Sequence, residues 1–90
     1  MKFVGNGHCK YGYYAGWDGK GIANQDACKL LCLFEKQCSF AAYVDDGIGK
    51  SCSRYKGNTC ILDTSDDHKK AHTTYRKDIG RWGIYFTFLL

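Results

Sequence analysis

The stretch "DACKLLCLFEKQCSFAAY", residues 26 to 43, decides the fold, because it sets Cys28, Cys32 and Cys38 into a segment that reads as a helix running into a strand. Ala27, Leu30, Leu31 and Phe34 recur at i, i+3, i+4 and i+7, the spacing of an amphipathic helix face. Asn24 is a suitable N-cap, and Asp26 places a negative charge in the first turn, where the helix dipole favours it. These signals predict a helix over about 25–36. At 100° per residue, Cys28 and Cys32 lie about 40° apart on one edge of the apolar face. Both thiols therefore point toward whatever the helix packs on, and their partners should lie on strands.

Working outward, the pattern changes after Cys38. "SFAAYV" is followed by the Gly-containing turn "DDGIGK", then "SCSRYK", a second turn at Gly57-Asn58, and "TCILD". The expectation is a meander of three short antiparallel strands beside the helix. "TSDDHKK" reads as a polar loop, and "AHTTYRK" as an edge strand with charged residues on its open side. Residues 2–23 carry Tyr11, Tyr13, Tyr14 and Trp17 between glycines, which predicts short strands and turns. The whole is one α+β module over residues 1–80, one helix packed on an antiparallel sheet. The apolar tail "RWGIYFTFLL", residues 81–90, is a linker or a terminal strand.

Ninety residues make a core that is marginal without staples or metal, and six cysteines can supply three disulfides at roughly 2–4 kcal/mol each. Such cysteine density points to an oxidising compartment, hence a secreted or extracellular setting. Residues 1–8 are too polar for a signal peptide, which reads as an excised module with a start Met added. The apolar run Gly83 to Leu90 is far shorter than the ~20 residues a membrane span requires, so no membrane insertion is expected.

The chemistry of the cysteines narrows by spacing. Structural zinc sites use paired C-x2-C knuckles, whereas this helix carries C-x3-C-x5-C and no C-x2-C occurs, although His8, His68 and His72 could supply ligands. No metal or other cofactor is expected. A redox enzyme would need C-x-x-C or an isolated reactive thiol. The serines sit in no nucleophile elbow, and no enzyme is expected. A net charge of +4 without a recognition motif argues against a nucleic-acid partner.

Cys28-x3-Cys32-x5-Cys38, followed by Phe40 and Tyr43 and then by Cys52 with Tyr55, resembles the PAN/apple domain. The resemblance covers residues 24–62 well and the flanks loosely. It implies a helix holding two cysteines, with Cys32 paired to Cys38 and Cys28 to Cys52, which leaves Cys9 with Cys60. Cys60-Ile61-Leu62 is also similar to the family's C-x-L strand. That register would instead pair Cys28 with Cys60 and Cys9 with Cys52. The chain departs from the apple domains of blood proteases, which bond a cysteine near the C-terminus, in having none after Cys60. The aromatic, proline-free sequence is most similar to a repeat of a coccidian (Eimeria-like) microneme adhesin from an apicomplexan.

That resemblance implies a non-catalytic, secreted module, stored in micronemes and used in host-cell attachment. Its partners would be other secreted or cell-surface proteins and neighbouring modules of the same chain. A glycan, either a galactose or a sulfated chain, is the alternative ligand. Two residue groups are candidates for contact. Lys69, Lys70, His72, Arg76 and Lys77 form the cationic group, suited to carboxylate or sulfate. Tyr11, Tyr13, Tyr14 and Trp17 form the aromatic group, suited to sugar faces or a protein interface.

Overall fold

The computed structural model describes residues 1–16, 22–47 and 49–78. Trp17 and the tail 81–90 lie outside them. The elements follow as β1 (Lys2–Asn6), β2 (His8–Cys9), β3 (Tyr13–Ala15), α1 (Gln25–Phe34), β4 (Phe40–Asp45), β5 (Lys50–Tyr55), β6 (Leu62–Asp63), α2 (Asp67–Lys70) and β7 (Thr73–Arg76). Five strands make one antiparallel sheet in the order β1-β7-β4-β5-β3, and β2 with β6 forms a separate two-stranded ribbon. The molecule is an α+β fold, with α1 packed against the antiparallel sheet and three disulfides.

Helix α1 begins where the sequence signals place it. The Asn24 side chain accepts from the Ala27 backbone N–H at 2.9 Å, satisfying one of the donors a helix start leaves open. Its inward face is not the apolar stripe that periodicity selects. Cys28 and Cys32 are buried, whereas Leu30 and Phe34 are 51% and 83% exposed. Of the predicted stripe, Leu31 packs against the core beside the cysteines, Ala27 is half-buried, and Leu30 and Phe34 face away. Two disulfides lock the rotation of α1 about its axis, Cys28 to Cys52 on β5 and Cys32 to Cys38 at the entry to β4. With those two positions turned inward, Leu30 and Phe34 fall on the far side of the helix.

The sheet separates two apolar clusters by strand alternation. On the α1 side, Ala41 and Cys52 join Ile22, Cys28, Cys32 and Cys38. On the other side, Phe40, Ala42 and Tyr55 join Cys9, brought there by the ribbon. The third disulfide, Cys9 to Cys60, closes the ribbon at this second cluster. The alternative register, with Cys28 bonded to Cys60, is not formed.

Two topological expectations are corrected. β6 leaves the expected three-stranded meander and pairs with β2, Cys9 opposite Leu62. β7 is an interior strand and not an edge, flanked by β1 through Phe3 opposite Tyr75 and by β4 through Ala41 opposite Tyr75. The polar loop before it also contains the single turn α2, capped by Asp66, whose carboxylate accepts from the Lys69 N–H at 2.7 Å. Thr74 is fully buried in β7, and its hydroxyl donates to the Gly7 carbonyl.

Candidate functional site

The ribbon and α2 cover only part of the sheet face opposite α1. Between them and β5 a cavity of about 410 Å³ opens to solvent. Its floor is the row Ser51, Ser53 and Tyr55, which alternation places on one face of β5. One wall is His8, Cys9 and Lys10 from the ribbon, the other is Asp66, His68, Lys69 and His72 from the α2 region, and Tyr13 of β3 stands at the end.

Gly7 makes this meeting possible. Its φ of 112° turns the chain from β1 into β2, a conformation costly for any residue with a Cβ. Its N–H donates to the His72 carbonyl at 2.8 Å, which sets His8 beside His72. All three histidines of the chain then gather. The His8 and His72 rings are 5.1 Å apart and the His68 and His72 rings 5.2 Å apart, both edge to face. His8 also stacks on Tyr55 at 6.5 Å, and Tyr55 meets Tyr13 at 5.9 Å. A continuous row of five rings, Tyr13, Tyr55, His8, His72 and His68, therefore crosses the cavity.

The imidazoles are held in defined roles. The His72 Nδ1 lies 2.9 Å from the His68 carbonyl and the His8 Nδ1 lies 3.0 Å from the Cys9 carbonyl. A carbonyl only accepts, so Nδ1 is the protonated nitrogen of each neutral ring and Nε2 is left for a ligand. Burial, with backbone bonding opposing it and His8 and His68 adding to it, pushes the His72 pKa below the ordinary histidine value. At the rim, Asp63 accepts from the Ser65 hydroxyl at 2.8 Å and holds the Lys69 ammonium at 3.3 Å. Chiefly through Ser65, the Asp63 carboxyl is pulled down to about 2. Among the described residues, no group of three His, Cys, Asp or Glu side chains is arranged to hold a metal ion.

The structure divides both candidate groups read from the sequence. Of the cationic group, Lys69 and His72 line the cavity, with His72 buried and Lys69 paired to Asp63 and Asp66. Lys70 and Arg76 are exposed outside it, and Lys77 donates to the Glu35 carbonyl at 2.7 Å at the far end of β7. Of the aromatic group, Tyr13 lines the cavity, while Tyr11 is 71% exposed away from it. Tyr14 works in the fold, its hydroxyl donating to Glu35 at 2.5 Å. That carboxylate also lies 2.8 Å from Arg54 Nε, close enough for an ion pair although the N–H is not aligned for a hydrogen bond.

His8, Lys10, Tyr55 and His68 also line the cavity and were not among the candidate contact residues. One signal pointed to His68: it and His72 are spaced i, i+4, which sets two imidazoles on one side of a helical turn. In comparison with known proteins, no family model matches the chain, and neither a curated protein nor a solved structure matches it. What fold and site together define is a small disulfide-stapled α+β domain with an open cavity lined by aromatic and imidazole rings, hydroxyls and charged groups. Among the described residues no helix is long and apolar enough to cross a membrane.

Proposed function

We propose that the chain is a non-catalytic, extracellular binding module that takes a saccharide in the histidine-lined cavity. The observation that carries this reading is the lining itself. At about 410 Å³ the cavity falls within the ~300–1,000 Å³ of small-ligand sites, and hydroxyls, imidazoles and ammonium groups are interspersed with the tyrosine rings that line it. Hydroxyl-rich ligands suit such a lining, and the exposed Tyr13 offers a ring face for a sugar to stack on. Three disulfides suit a secreted protein and hold the walls at fixed spacing. On the cysteine spacing, the module is of PAN/apple type and serves attachment in a secreted adhesin.

A glycan array tests this: binding is expected and should be lost in Tyr13→Ala combined with Ser53→Leu. No binding to any arrayed glycan by the folded module would refute it.

A second reading, docking of a protein such as a neighbouring module, is supported by the outer face of α1, where Leu30, Leu33 and Phe34 are exposed together. The two readings separate cleanly. Leu30→Asp with Phe34→Asp should abolish protein docking and leave glycan binding intact.

A further inference from the structure

We propose that the cavity is a proton-coupled seat for an anionic group, the carboxylate or sulfate of an acidic saccharide, held at His8, His68 and His72. The proposal rests on the saccharide reading and names the ligand class and its regulation. It starts from the fixed Nδ1 bonds. Because the Nδ1 of His8 and of His72 is committed to a backbone carbonyl, each neutral ring offers a ligand only the Nε2 lone pair. A lone pair repels an anion. Protonation converts each Nε2 into an N–H donor and adds a positive charge, so the same atoms change from repelling an anion to binding it.

Proximity supplies the coupling. Three imidazoles in a chain about 5 Å apart cannot all become cationic without mutual repulsion, and a bound anion relieves that repulsion. Anion binding and proton uptake therefore promote each other.

The other charged groups facing the cluster are consistent with this. Lys10 on the ribbon side and Lys69 in α2 add positive charge to the cavity. Asp66 lines the cavity too, but its carboxylate accepts from the Lys69 N–H at 2.7 Å and lies 4.0 Å from the Lys69 ammonium. Asp63, opposite His8 in the ribbon register, holds Lys69 at 3.3 Å. Asp46 lies 3.8 Å from the His68 Nε2. Burial raises the Tyr55 pKa, which keeps that phenol neutral in this pH range.

Titration calorimetry on the oxidised module tests the inference, with galactose, galacturonic acid, galactose 6-sulfate and inorganic sulfate as probes, from about pH 7.5 to about pH 5. Both acidic sugars keep their own charge across this range. Their affinity should rise as pH falls, by up to about tenfold per pH unit for each proton taken up, and buffers of different ionisation heat should report that uptake directly. Galactose should show no pH dependence. His68→Gln, an exposed change that spares the core, should flatten the slope, and His8→Gln should do the same. Acidic sugars that bind with the pH-independence of galactose would overturn the inference and leave the saccharide reading standing. Inorganic sulfate binding as tightly as galactose 6-sulfate would support the anion seat and overturn the saccharide reading. No binding by any probe at any pH would overturn both.

Discussion

Single residues place the cavity, and two of them give direct tests. A Cβ on Gly7 would stand 2.7 Å from the Asp63 carbonyl, in addition to the strain of its φ of 112°. Gly7→Ala should therefore lose about 1–3 kcal/mol in denaturant unfolding, and the imidazole resonances of His8 and His72 should shift together. His72 is the second. Its pKa is depressed in the fold, so the unfolded chain binds more protons as pH drops below the ordinary histidine value of about 6.5. The stability it contributes is full above that value and is lost as pH falls toward the folded pKa. Urea midpoints without ligand should decline between neutral and mildly acidic pH, and His72→Gln should reduce the slope. The same decline measured with galactose 6-sulfate present should be smaller, since the bound anion favours the charged rings.

At the scale of elements, α1 shows how far local sequence reaches. Its start and the inward aim of Cys28 and Cys32 were legible because capping and helical phase are local properties, while its end came at Phe34 and not at residue 36 because Glu35 already adopts an extended backbone. Its packing face was not, because Leu30 and Phe34 satisfy the same periodicity as core residues and the Cys28–Cys52 and Cys32–Cys38 bonds select between the two faces. Leu30→Ser and Phe34→Ser should accordingly cost under about 0.5 kcal/mol each in thermal or urea unfolding, a surface effect and not a core loss. β7 failed for a related reason. Its charges suggest an open edge, yet the N-terminal strand returns across some seventy residues to cover it, Lys2 opposite Arg76. No local signal encodes such a pairing. The cavity was equally hidden, since His8, Tyr55 and His72 come from three distant segments. Where α1 ends, Tyr14 ties β3 to Glu35. Burial first, then the bond to Glu35 and its charge, raise the Tyr14 pKa to about 12. That raised pKa contributes stability that is present below about pH 10 and lost as pH rises through about 12. Tyr14→Phe should cost roughly 1–2 kcal/mol at neutral pH and remove that alkaline loss, read from urea midpoints.

The whole molecule is two halves stapled differently, and the staples should separate experimentally. The disulfides close loops with separations of 51, 24 and 6 residues, which on chain entropy contribute about 4, 3.5 and 2.4 kcal/mol. Together they match the total stability of an ordinary small domain, about 5–15 kcal/mol, so the fully reduced chain should be unfolded. The single-pair deletions should differ in kind as well as size. Cys28→Ala with Cys52→Ala removes the bond between α1 and β5, across the cluster that also holds Cys32, Cys38 and Ala41, and should lower the unfolding midpoint for every probe at once. Cys9→Ala with Cys60→Ala acts on the ribbon, which is otherwise joined internally only by the short β2–β6 pairing and held to the sheet by Cys9 packing on Phe40, Ala42 and Tyr55 and by the Gly7 hydrogen bonds to His72 and Thr74. Entropy alone ranks this the larger loss. Its effect should nevertheless be local under native conditions, because the α1 side keeps both of its bonds. Amide exchange should speed in residues 8–10 and 61–63 while β4, β5 and α1 stay protected, and anion binding should vanish with the wall that carries His8. Uniform loss of protection in that variant would show that the ribbon and the sheet fold as one unit, and that the cavity cannot be loosened without unfolding the domain.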